Sequence, residues 1–158
     1  MFNEGLNIQQ HQAKEANIMS IEALNLADML LKKYRDWLTG SHSLVALMHL
    51  YLARQKSRCD DNGILIPLNL QDRALWKNKH TMLGTAELSH ALEVKGELDR
   101  PYLYEALIAH EHLRASDLMK TDWPAIELHY RKWLRVSPLP MVELNLAIPM
   151  VNSINPFG

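Results

Sequence analysis

Residues 63–76, GILIPLNLQDRALW, decide how the chain is read. Ile64, Leu65 and Ile66 form a short extended apolar run that meets Pro67. The proline ring fixes φ and leaves no N–H for a ladder, so the run ends there. Asn69 follows and has the chemistry of an N-cap, because its side-chain oxygen can accept from an orphan N–H two or three residues on. Asp72 then falls in a first turn, where a negative charge suits the helix dipole. The stretch is therefore a connector that ends one helical unit and launches the next. It holds no nucleophile, phosphate loop or metal cluster.

The sequence on either side is helical in pattern. Upstream, residues 17–37 keep apolar positions at Ile21, Leu24, Leu31 and Tyr34, with Lys32, Lys33 and Arg35 in the last turns. Thr39-Gly40-Ser41 reads as a stop followed by a new cap. Residues 43–56 predict a second helix on Leu44, Leu47, Met48, Tyr51 and Leu52, and the short gap implies a helical hairpin. Cys59-Asp60-Asp61-Asn62-Gly63 is turn chemistry that could join residues 58–59 and 64–66 into a small ribbon. Downstream, residues 70–95 predict a third helix. Its polar middle, Lys77 to Thr81, and the following Gly84 suggest a bend or a solvent-facing turn.

Arg100-Pro101 opens a fourth helix, with Ala106 and Ala109 small enough for close helix approach. Thr121-Asp122-Trp123-Pro124 caps and starts a fifth, whose stripe is Trp123, Ile126, Tyr130, Trp133 and Leu134. Residues 141–148 resemble the opening of a sixth helix that Pro149 cuts short. The expected fold is all-α: stacked antiparallel helical hairpins, tetratricopeptide-like, with one irregular extended connector. Residues 1–16 read as an N-terminal segment continuing from something upstream. The helical domain spans 17–148, and 149–158 form a disordered tail.

The chain has 158 residues, of which 47% are hydrophobic and 22% charged, and a net charge of −1. That suits one soluble domain and argues against a chain built to neutralise phosphates. The single cysteine, Cys59, excludes an internal disulfide framework and fits a reducing compartment, with cytoplasm as the expected location. No apolar run could span a bilayer.

Several short strips, in a common order over nearly the whole chain, make it resemble the C-terminal, tetratricopeptide-like region of extracytoplasmic-function (ECF) sigma factors, within the sigma-70 family. These are Met1-Phe2-Asn3-Glu4-Gly5, LVALMHLYL over 44–52, Gln71-Asp72-Arg73-Ala74-Leu75-Trp76, Pro101-Tyr102, Thr121-Asp122-Trp123-Pro124, and Ser137-Pro138 leading to Met141-Val142-Glu143-Leu144-Asn145. The resemblance implies a non-enzymatic, regulatory, protein-interaction role in transcription. Its partners would be the sigma core regions or RNA polymerase, with no direct DNA binding by this part and no cofactor. The regions that bind the −10 element and read the −35 element in such proteins are not in these residues. The far end also departs from the family, whose members continue into a further helical repeat.

Candidate contact residues are Asp72 and Arg73, as a charged surface, and Trp123 and Tyr130, as part of an aromatic groove with Trp133. The competing reading makes Trp76 and the aromatic stripe core, and Asp72 and Arg73 a local cap and ion pair. Exposed apolar surface at the end of the array would favour a homodimer. The alternative is a free-standing helical scaffold that binds a peptide or dimerises. A third reading is a small metal-dependent helical enzyme around Glu87, His90 and His110, although no paired Glu-x-x-His motif supports it. Cys59 has no evident base beside it. Arg54, Lys56 and Arg58, and separately Arg131, Lys132 and Arg135, read as solvated faces more readily than as phosphate contacts.

Overall fold

A computed structural model describes residues 10–34, 41–60, 64–93 and 100–154. The order is α1 (Gln10–Tyr34), α2 (Ser41–Arg54), α3 (Asn78–Glu93), α4 (Arg100–Arg114), α5 (Trp123–Val136) and α6 (Pro140–Ile154). Single 3₁₀ turns lie at Gln55–Ser57, Leu68–Leu70, Arg73–Leu75 and Leu118–Lys120. The fold is all-α. The described residues contain no strand, and the expected ribbon is one antiparallel bridge, Cys59 to Leu65. It is held by Asp60 N–H to the Ile64 carbonyl at 2.9 Å and Ile66 N–H to the Arg58 carbonyl at 2.7 Å.

Helix α2 is the centre. Val45, Ala46, Leu50 and Ala53 are completely buried, which fits a helix that is apolar nearly all round. One side packs with Leu24 and Leu31 of α1. The other packs with Leu88 of α3 and with Ala106, Ala109 and Leu113 of α4. The α2–α3 pair is antiparallel: His49 meets His80, and His42 meets Glu87. Helix α4 runs parallel to α2, since Tyr51 meets Glu105 and both C-terminal ends reach the connector. Helix α5 packs on α4, and α6 on α5.

Three boundaries differ from the sequence expectations. The third helix does not start near Leu70 under an Asn69 cap, because Asn69 lies inside a 3₁₀ turn and α3 begins at Asn78. Neither Lys77 to Thr81 nor Gly84 makes a bend. Lys77 N–H reaches the Ala53 carbonyl at 2.9 Å, and α3 is continuous through Gly84. Gly84 is a point of close approach instead. A Cβ there would stand 2.9 Å from Leu50 Cγ and Cδ2 and 3.1 Å from the Ala46 carbonyl oxygen.

Pro149 does not end α6. It sits inside the helix, fully buried, and residues 149–154 of the expected tail remain helical. The missing N–H costs one intrahelical bond, which the burial of the ring offsets. Helix α1 likewise begins at Gln10, ahead of the expected residue 17. Its opening QHQAKEA has no proline or glycine and is rich in strong helix formers. Residues 1–9 of the expected N-terminal segment, the Thr39-Gly40 stop, the Asn62-Gly63 turn and residues 155–158 lie outside the described residues.

Candidate functional site

The connector organises the molecule through side chains that close helix ends. A helix leaves its last carbonyls without intrahelical partners, and something must serve them. Arg73 Nη1 donates to the carbonyls of His112 at 2.9 Å and Ala115 at 2.6 Å, closing the end of α4. Its guanidinium lies 4.4 Å from the centre of the Trp76 ring. Trp76 Nε1–H donates to Ser57 Oγ at 2.8 Å, and Ser57 Oγ–H donates to the Arg54 carbonyl at 2.9 Å, at the end of α2. Arg54 Nε and Nη2 both donate to the Gln71 side-chain oxygen, at 3.2 and 3.0 Å. Gln71 Nε2 donates to the Ile66 carbonyl at 2.8 Å. Asp72 Oδ1 accepts from Ala74 N–H at 2.9 Å and caps the turn Arg73–Leu75.

Gln71, Asp72, Arg73 and Trp76 therefore each have a local structural task. Asp72 is exposed, and the Arg73 side chain is half-buried in its own network. The gathering of two guanidiniums has an electrostatic consequence. Burial and the neighbouring Arg58 and Arg73 pull the Arg54 guanidinium down to about 10. Burial, then Arg54 and Arg73, pull the His112 imidazole down to about 4. His112 is thus neutral at physiological pH.

The aromatic stripe divides between two environments. Trp123 is 9% exposed and packs with Ile108 and Ile126, so it is core. Tyr130 and Trp133 are half-buried against the same cluster, with near-parallel rings 6.1 Å apart. They border a cavity of about 280 Å³ that also involves Arg54, Glu105, His112 and Asn145. Here Tyr51 OH donates to Glu105 Oε1 at 2.5 Å, and burial followed by Glu105 raises the Tyr51 phenol well above its ordinary value. Sequence reading brought Trp123, Tyr130 and Trp133 together but missed Tyr51 and Glu105, which pair across α2 and α4 and carry no local signal.

The histidines gather mainly at the α2–α3 interface. His42 Nδ1 is 2.6 Å from Glu87 Oε2, and its ring centre is 5.6 Å from that of His90. Two helical turns away, His49 Nδ1 is 3.0 Å from His80 Nδ1, and His49 Nε2 is 3.9 Å from Asp28. Burial lowers both His49 and His80. Glu87 and His90 do share a neighbourhood, but His110 stands near His129 of α5, whose titration it influences. Among the described residues, no three His, Cys, Asp or Glu side chains converge in a way that could hold a metal ion. Cys59 is exposed.

The most distinctive surface is on α6. Met141, Leu144, Ile148 and Val151 are 58%, 67%, 56% and 64% exposed. Their spacing of three, four and three residues puts them on one stripe, opposite the buried Val142, Leu146 and Pro149. Glu143 is the only charged residue in the helix. Expecting Pro149 to end the helix hid this stripe in the sequence. Among the described residues, no helix is long and apolar enough to cross a membrane.

Comparison with known proteins places these features in a lineage. An uncharacterized protein of Rhizobium meliloti (strain 1021), R00370, is 31% identical over 150 residues, covering 94% of this chain and 34% of the relative. The chain thus spans about a third of the length of that relative. No solved structure matches it. The model of DUF6596, a family of unknown function, matches residues 1–92, which include α1, α2, the connector and all but the last residue of α3. On that match, which covers more than half of its length, the chain belongs to the DUF6596 family.

Proposed function

We propose that the chain is a regulatory, protein-interaction region of an ECF-type RNA polymerase sigma factor, acting in the cytoplasm through contacts with the sigma core regions or with polymerase. The observation that carries the interaction half of this reading is the exposed, nearly uncharged stripe of α6. Contiguous apolar surface of this kind marks sites where another macromolecule docks. The transcription half rests on the ordered strips of sequence and on the family, which is a C-terminal domain found in sigma-70-like proteins. In this reading the connector network is scaffold and α6 is the working face. The role is non-enzymatic, and promoter recognition is not assigned to these residues.

Co-purification tests the proposal. The chain is mixed with the sigma core regions and the core polymerase of its own host, and retained complexes are quantified. Retention of either partner by the chain, weakened at least tenfold by Leu144→Glu, is expected. Leu144 is two-thirds exposed, so the substitution leaves the fold intact. Retention of neither partner, or equal retention by the Leu144→Glu variant, overturns the reading. Self-association through the α6 stripe without either partner would favour the free-standing scaffold instead.

A further inference from the structure

A cavity of about 380 Å³ lies between α1 and α2, away from the α6 stripe. Its lining includes Met19 and Ala23 of α1, Met48, Tyr51 and Leu52 of α2, and Arg58 beyond the end of α2. That volume is in the range of small-molecule sites, which pair apolar walls with a few polar groups that fix orientation. Two methionines make the wall adaptable in shape.

Among the described residues, Arg58 is the only charged one of the lining. Its guanidinium lies over the Tyr51 ring, 5.1 Å from the centre. No carboxylate pairs with it among the described residues. The Tyr51 hydroxyl donates its hydrogen bond to Glu105. Among the described residues this half-buried guanidinium beside an apolar groove has no carboxylate partner, and guanidinium donors fit a carboxylate bidentately. The apolar groove beside it, lined by Met19, Ala23, Met48 and Leu52, is suited to an aliphatic chain.

We propose that this cavity binds a small amphiphilic monocarboxylate, with its carboxylate on Arg58 and its aliphatic tail between Met19, Ala23, Met48 and Leu52. The site is independent of the transcription reading, because it makes no use of α6. Failure of co-purification leaves it standing, and its own failure leaves the docking face of α6 untouched.

The test uses the full chain labelled at the methionine methyl groups and titrated with octanoate, octanol and acetate below micellar concentrations. Octanoate should move the Met19 and Met48 methyl signals saturably, while octanol binds at least tenfold more weakly and acetate does not saturate. Arg58→Gln should reduce octanoate affinity at least tenfold. Because Arg58 makes no side-chain hydrogen bond among the described residues, that variant keeps the fold. Ala23→Phe, which fills the chamber, should abolish the shifts and controls for the position of the tail. Equal affinity for octanol and octanoate, an unchanged Arg58→Gln variant, or shifts confined to Met141 and Met150 of α6 would each overturn the proposal.

Discussion

Gly84→Ala is the sharpest perturbation of the fold, because two effects of opposite sign meet at one atom. In an exposed helix interior the change would stabilise by about 1 kcal/mol through helix propensity. Here the added methyl would stand 2.9 Å from Leu50 Cγ and Cδ2 and 3.1 Å from the Ala46 carbonyl oxygen. Leu50 is completely buried, and Ala46 O is backbone in the middle of α2, so neither can retreat without moving a helix. Inserting a methyl into a filled core costs roughly 1–3 kcal/mol. The steric cost therefore wins, for a net loss of about 1 kcal/mol and a fall in Tm of about 2–4 °C in a domain of this size. Urea unfolding followed by circular dichroism should show a lower midpoint at an unchanged m-value. A double-mutant cycle makes the reasoning exact in its sign. Leu50→Ala alone should cost about 2–5 kcal/mol. In that background Gly84→Ala should become neutral or stabilising, because the space beside it has opened. A Gly84→Ala variant more stable than the parent, or one equally destabilising with and without Leu50, would refute the close α2–α3 approach.

Further expectations concern the connector and the histidines. Arg73→Ala should destabilise by about 2 kcal/mol, because two carbonyls at the end of α4 lose a charged donor, and Arg73→Lys should recover only part of this. Matched urea titrations of the two variants would check it. Trp76→Phe should cost about 1 kcal/mol by removing the indole donor to Ser57 while keeping the ring, measured in the same way. Stability should also fall with acid. His112 is held at about 4 when folded against 6.5 ordinarily, so the unfolded chain takes up the proton first. Its contribution is complete above about pH 6.5 and is lost as pH falls towards 4, to the extent of about 3 kcal/mol at most. Burial shifts His49, His80, His110 and His129 the same way. Urea midpoints at pH 7 and pH 5, together with an imidazole NMR titration of His112, would check this.

What could be read from the chain and what could not follow from how local each signal is. The helices at α2, α4 and α5 are written in spacing and caps: Asp122 does cap α5, accepting from Ala125 N–H at 3.0 Å. The connector was legible as a connector, because Pro67 has no N–H for a ladder and ends the extended run. Its inner order was not, since Asn69 and Asp72 offer equally good local caps. What decides between them is Arg73 reaching α4, 39 and 42 residues away. Gly84 and Pro149 misled for one reason. Both are helix breakers by propensity, and both are retained by packing: Gly84 under Leu50, and Pro149 fully buried in α6. Tertiary contact overrides propensity at such positions.

The two pairs at the α2–α3 interface, His42 with Glu87 and His49 with His80, repeat seven residues apart on both helices. That register was available in the sequence. It becomes meaningful only once α3 is known to run antiparallel to α2. The Arg58 chamber depends on α1 lying across α2, which no spacing in either helix announces.

The most direct measurement of the central reading is hydrogen exchange along α6, with and without the sigma core regions and core polymerase of the same host. Exchange in residues 141–154 should slow on addition of the partner, with little change in α2, whose amides are already buried in the core. Unchanged exchange along α6 at partner concentrations that saturate the sigma core would contradict the assignment of α6 as the docking face.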